Sequence, residues 1–164
     1  IKDEARLEVW AGAKDKPVLI TTYPVLAASG EDGPKLREGD RQVPEGFYKI
    51  EALNPNSSYH LSMKLNFPNA FDLKHAEAEG RTEPGSDIFI HGKAVSIGCL
   101  AMGDPVIEEL FILVMDVKKE NVEVVIAPTD PRKRDLDPSG GPPWLAGLYE
   151  RITDHFGRYR AAPL

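Results

Sequence analysis

The stretch Ile90-His91-Gly92-Lys93-Ala94-Val95-Ser96-Ile97-Gly98-Cys99-Leu100-Ala101-Met102 decides how this chain reads. It continues a short apolar run, Asp87-Ile88-Phe89-Ile90, that has the character of a buried strand. It contains Cys99, the only cysteine of the sequence, which therefore has no intramolecular disulfide partner. A histidine at a strand end, followed eight positions later by a lone thiol in a glycine-punctuated turn, is the pattern of a cysteine nucleophile with an imidazole base. The strand would hold the His91 ring, Gly92 would let the backbone turn, and Gly98 would let it approach a substrate carbonyl closely. Amides around Gly98, Cys99 and Leu100 are then candidate donors to a tetrahedral oxyanion, and Ser96 a candidate partner of the imidazole or substrate. The competing reading is structural: cysteines outside disulfides are among the most buried residues, and a strand-end histidine often serves the scaffold.

Working outward, Leu7-Glu8-Val9-Trp10 and Val18-Leu19-Ile20-Thr21-Thr22-Tyr23 flank a turn and predict an opening hairpin. The glycine- and proline-rich segment 29–44 predicts a loop of the kind that carries function. Phe47-Tyr48-Lys49-Ile50 predicts a strand, Asn54-Pro55-Asn56-Ser57-Ser58 a turn, and Tyr59 to Leu65 a half-buried strand. Residues 66–86 read as mostly irregular. Asp104-Pro105 predicts a helix start, with Ile107, Leu110, Phe111, Val114 and Met115 on its apolar face. Val122 to Ile126 predicts another strand. A final helix beginning near Pro143 would bury Leu145, Leu148, Ile152, Phe156 and Tyr159. The expectation is a mainly β domain with one mid-chain helix and one C-terminal helix, a single domain over residues 1–164.

Composition narrows the function classes. The 164 residues carry a formal net charge of -6, which argues against nucleic acid as the main partner. No apolar run reaches the length of a membrane span, so no transmembrane segment is expected in this chain. The first residue is Ile1 rather than Met, which reads as a trimmed or processed form and is compatible with a removed export signal that this sequence does not display. His60, His75, His91 and Cys99 lack the tight spacing of zinc ligands, and no metal is expected. No glycine-rich phosphate loop follows a strand, so the expectation is an activity without a cofactor. Arg132-Lys133-Arg134 is offset by Asp130, Asp135 and Asp137 and reads as a solvated loop.

Several motifs in order carry a resemblance. His91-Gly92, then Ser96-Ile97-Gly98-Cys99-Leu100-Ala101-Met102, resembles the signature of the YkuD-type L,D-transpeptidase catalytic domain. Upstream, Arg37-Glu38-Gly39-Asp40 and Val43-Pro44-Glu45-Gly46-Phe47-Tyr48 are similar to another segment of that family. Leu53 to Ser62 and Asn66-Phe67-Pro68-Asn69-Ala70-Phe71-Asp72 resemble its YafK-like branch, which includes a murein hydrolase. The resemblance covers roughly residues 7–127.

It implies an L,D-transpeptidase catalytic-domain β-sandwich that acts on peptidoglycan stem peptides through a cysteine acyl-enzyme, in the periplasm or cell envelope. By position, Cys99 matches the nucleophile, His91 the base, Ser96 the motif Ser/Thr and Gly98 the motif glycine. Tyr59, Asn69, Asp72 and Arg81 become candidate substrate contacts, on polarity and branch resemblance. The chain also departs from the family. Its spacer from His91 to Ser96 is only four residues, far shorter than usual, while Ile97 replaces the motif histidine and Ala101 the motif arginine. Loss of the arginine removes a bidentate donor. These changes favour hydrolysis over cross-linking. Resemblance to the branch implies a diaminopimelate linkage as the bond cleaved, including one that tethers a lipoprotein to peptidoglycan. Transfer by an L,D-transpeptidase and a non-catalytic wall-binding module are the alternatives.

Overall fold

Seven strands spread over residues 6–126 build two sheets among the described residues. The structure is a computed structural model and describes residues 1–13, 15–95 and 98–160. Strands β1 (Arg6–Ala13) and β2 (Lys16–Pro24) pair as an antiparallel hairpin, with a register irregularity between Val9 and Trp10. One face of the hairpin sends Leu7, Val9 and Tyr23 onto the main core, while Val18 and Ile20 point outward.

The second sheet contains β3 (Gly46–Ser57), β4 (His60–Leu65), β5 (Phe89–His91), β6 (Leu100–Ala101) and β7 (Glu123–Ile126), in the order β6-β5-β4-β3-β7. All its neighbours are antiparallel except β5 and β6, which run parallel. Three α-helices, α1 (Ala70–Ala78), α2 (Asp104–Val117) and α3 (Leu145–Phe156), and a single 3-10 turn at Lys119–Asn121 complete the described residues. None is long and apolar enough to cross a membrane.

Helix α2 buries Ile107, Leu110, Phe111 and Val114, one stripe at helical spacing, and packs on β4 and β5. Met115 was expected on that stripe but is 58% exposed. It lies about 100° of helix rotation beyond Val114, outside the buried arc. The helix is preceded by Gly103 as its N-cap, and Asp104 spends its carboxylate elsewhere. Helix α3 buries Leu145, Leu148, Tyr149, Ile152 and Phe156 against Ala127, Phe47, Phe71 and Val125, a second apolar cluster. Each fully buried aliphatic side chain there contributes about 1.5–3 kcal/mol of transfer free energy.

Two expectations need correction. Residues 66–86 contain a helix: Asn69 accepts from the Phe71 and Asp72 amides while Asp72 accepts from the Asn69 amide, a complete capping box that starts α1. Only Ala76 of α1 is buried, so no apolar period announces it. Strand β3 also runs through the expected turn at Asn54–Ser57, and the reversal falls at Ser58 and Tyr59. Pro55 fits because the β3–β4 register is irregular between Asn54 and Ser57, where the ladder makes no demand on its nitrogen.

The end of the chain is fastened to its beginning. Glu45, whose side chain is fully buried, accepts from Lys2 Nζ at 2.8 Å, the Gly33 amide at 2.8 Å and Tyr149 Oη at 2.6 Å. Burial, and then this carboxylate, push the Tyr149 phenol well above its ordinary range. Asp130 and Glu8 both pair with Arg6 and Arg132, joining β1 to the segment after β7.

Candidate active site

The parallel pairing of β5 and β6 assembles the site. Register sets Ile90 opposite Leu100 and His91 opposite Ala101. Residues 92–99 make the connection, shorter than the dozen or more residues that usually join parallel strands. The chain therefore doubles back at once, and Cys99 arrives immediately ahead of β6, beside Phe89. Strand spacing and rise place the Cα atoms of His91 and Cys99 about 8 Å apart, two positions along neighbouring strands.

His91 is 3% exposed. Its Nδ1 lies 2.6 Å from the Gly92 carbonyl oxygen, which can only accept, so Nδ1 carries a proton and Nε2 is the position that bears the lone pair in the neutral ring. The Tyr59 ring packs on the imidazole with centroids 4.5 Å apart. The turn leaving His91 is tied down on several sides. The Gly92 amide donates to Leu61, the Lys93 amide to Asp104 Oδ1, the Met102 amide to His91 and Lys93 Nζ to Ser58.

Gly92 is required here by space rather than by its φ. A Cβ at that position would stand 2.6 Å from the Tyr59 carbonyl oxygen, 2.7 Å from Asp104 Oδ1 and 3.0 Å from Ile107.

The Cys99 thiol donates to the Asp87 carbonyl at 3.7 Å, at the N-terminal end of β5. Burial pushes its pKa above the ordinary thiol range. The Phe89 amide and the Lys35 ammonium oppose that rise and the Asp87 carboxylate adds to it. Asp87 adopts φ +53, a left-handed conformation that aspartate tolerates better than most residues, and its carboxylate pairs with Lys64 at 3.1 Å. The thiol is thus stationed at one end of β5 and the imidazole at the other.

Gly98 has φ +82, and its amide donates to Ser29 Oγ at 2.6 Å. That donor, expected to face an oxyanion, is committed to the loop in this state. Ser96, the expected hydrogen-bonding hydroxyl, lies outside the described residues. Ala101, at the motif arginine's position, is fully buried between β5 and Ala27.

Of the four candidate substrate contacts, the structure brings Tyr59 to the imidazole. Asn69 and Asp72 cap α1, and Asn69 also donates to the Phe47 carbonyl. Asp72 accepts from Tyr48 Oη at 3.3 Å, and burial raises its pKa. Arg81 donates to the Leu36 carbonyl and to Glu79, joining the end of α1 to the 29–44 loop. Sequence reasoning missed Ser29, Lys35, Asp87 and Asp104. Only Asp87, leaving the turn Pro84-Gly85-Ser86, carried a local signal; Ser29 reaches Gly98 across 69 positions. Among the described residues no group of three or more His, Cys, Asp or Glu side chains could hold a metal ion.

Comparison with known proteins agrees with this architecture. YafK of Escherichia coli (strain K12), which carries an L,D-transpeptidase name, is 38% identical over 112 residues, 67% of this chain. The chain spans 43% of that relative's length. Among solved structures, Pgp2 of Campylobacter jejuni, a helical cell shape determining protein, matches at TM-score 0.58 and 20% identity over 99% of this chain and 69% of its own. Bd1075 of Bdellovibrio bacteriovorus matches at TM-score 0.52 and 25% identity, covering 76% of this chain and 44% of its own. The profile of the L,D-transpeptidase catalytic domain, YkuD, matches residues 2–126, and the chain belongs to that family.

Proposed function

We propose that this chain is a cysteine-dependent cell-wall amidase that hydrolyses diaminopimelate linkages of peptidoglycan stem peptides in the periplasm or cell envelope. The linkage that best fits the reading is the amide joining a lipoprotein to the wall. The observation that carries the proposal is the β5–β6 pairing, which brings the only cysteine, immediately ahead of β6, to the strand that ends in a histidine whose Nδ1 is fixed by the Gly92 carbonyl.

Burial disfavours the thiolate, so in this reading the base acts within the reaction rather than through a standing ion pair. Rotation about the Cys99 Cα–Cβ bond turns sulfur from the Asp87 carbonyl towards the imidazole. Nε2 takes the thiol proton as sulfur bonds to the amide carbonyl carbon. The tetrahedral intermediate then expels the amine, which leaves with the proton from the imidazolium. Water attacks the resulting thioester, giving its proton to Nε2, and the C–S bond breaks to release the acid and restore the thiol. The buried methyl of Ala101 offers no guanidinium to hold a second stem peptide, which supports water as the acceptor.

The test uses sacculi carrying bound lipoprotein. The parent should release the lipoprotein, while Cys99→Ala and His91→Ala should not; release by Cys99→Ala refutes the proposal. Transfer is the second reading, favoured by the relatives' L,D-transpeptidase name. New cross-linked dimers among digested muropeptides would select it over hydrolysis.

A further inference from the structure

We propose that Ser29 is a positioning residue for the Cys99 nucleophile, acting through the Gly98 turn. The inference rests on the reading of Cys99 given above and adds to it a residue that lies 69 positions away from Gly98.

A serine hydroxyl has one proton to give and lone pairs to receive. Here both capacities are used, since Ser29 Oγ donates to the Arg41 carbonyl at 2.6 Å and accepts from the Gly98 amide at 2.6 Å. The approach to Ser29 is itself fixed to β6. The Leu26 amide donates to the Ala101 carbonyl at 2.8 Å, and the Ala101 amide to the Ala27 carbonyl at 2.9 Å. Residues 26–29 thus run along the outer edge of β6 and end on the turn that delivers Cys99.

Across from Gly98, the nearest atoms on its Cβ side are Arg41 C and Gln42 O, both at 3.8 Å. The loop behind them is braced. Gln42 exchanges hydrogen bonds with Glu31, and its Nε2 also donates to the Gly33 carbonyl. Asp40 accepts from the Leu36, Arg37 and Gln42 amides. Lys35, whose ammonium acts on the thiol, is held by Asp40.

Glycine at φ +82 has no side chain to hold its conformation, so the amide–hydroxyl bond is what selects it. With that bond in place, the Asp87 carbonyl stations the sulfur on one side and Ser29 fixes the preceding peptide on the other. Without it, Gly98 turns freely and the sulfur leaves its station.

The experiment compares Ser29→Ala, Ser29→Thr and Cys99→Ala with the parent, reading turnover on lipoprotein-bearing sacculi, KM, and iodoacetamide alkylation of the single thiol. A nucleophile displaced by about 1 Å loses about 10²-fold in rate, so Ser29→Ala should lower turnover about 10- to 100-fold with KM little changed. Alkylation should rise as the thiol loses its burial, the direction opposite to turnover. Threonine retains the hydroxyl and should restore both readouts.

Parental turnover in Ser29→Ala, reduced turnover without faster alkylation, or a threonine variant no better than alanine would each overturn the role of Ser29. If Ser29→Ala is parental while Cys99→Ala is dead, the inference alone fails. If Cys99→Ala remains active, the catalytic reading falls and takes the inference with it.

Discussion

Replacing Gly92 by alanine tests whether the imidazole is held by the β3–β4 turn. The new methyl would stand 2.6 Å from the Tyr59 carbonyl oxygen, where ordinary contact begins at 3.4 Å, so one of the two backbones must yield by roughly 0.8 Å. It cannot yield towards α2, because Asp104 Oδ1 at 2.7 Å and Ile107 Cγ2 at 3.0 Å close that side. Gly92 does not occupy the left-handed region, so the penalty is steric. Overpacking of this kind costs about 1–3 kcal/mol. At about 2–4 °C per kcal/mol for a chain of this size, the thermal midpoint should fall by about 2–12 °C. The Tyr59 ring rides on the displaced backbone and would shift against His91, and a displacement near 1 Å is enough to reduce turnover by about 10²-fold. Circular dichroism melting and release of lipoprotein from sacculi read the two effects. A Gly92→Ala protein with the parent's midpoint and turnover would refute the argument that this close approach positions the base.

Gly98→Ala is the complement: among the described residues outside its chain neighbours no atom lies closer than 3.8 Å to its new methyl, but φ +82 imposes about 1–2 kcal/mol of left-handed strain, measurable by urea denaturation. Glu45→Ala strands the Lys2 ammonium and the Tyr149 hydroxyl and should cost about 3–5 kcal/mol in the same assay. Asn69→Ala removes the α1 cap and should cost about 1 kcal/mol while leaving turnover unchanged; a rise in KM would restore Asn69 as a substrate contact. Because burial raises the Cys99 pKa in the folded state, alkylation should climb at a higher pH than in the denatured chain. The linked stability is full below the unfolded thiol pKa and is lost as pH rises through the folded one. A folded midpoint below the denatured midpoint would contradict the burial assigned to the sulfur.

Periodicity made most of the fold legible. The β2 alternation, the α2 stripe through Ile107, Leu110, Phe111 and Val114, and the α3 stripe through Leu148 and Ile152 are local patterns that tertiary structure did not override. Helix α1 escaped because it is held by its cap and brackets rather than by an apolar face. Its Asn69-x-x-Asp72 box was the available signal. Strand β6 escaped because two residues carry no period.

At the candidate site, His91 and Cys99 stand out in the sequence because they share one short stretch of chain. Asn69, Asp72 and Arg81 each also carry a hydrogen bond within the fold that sequence cannot display. Ser29 reaches the site only through long-range packing, and no local rule marks a serine 69 positions away. Asp104, 11 positions from Lys93, is legible as a helix start but not as the acceptor of the Lys93 amide.

The convergence on Glu45 bears on how the polypeptide emerges from the ribosome. Lys2 and Gly33 precede this carboxylate in the chain and are ready when it appears, but the hydroxyl of Tyr149 is made more than a hundred residues later. Until α3 is made, one carboxylate oxygen of Glu45 lacks its protein partner. Closure therefore waits for α3, and nascent fragments ending before Tyr149 should yield to protease where the released protein resists.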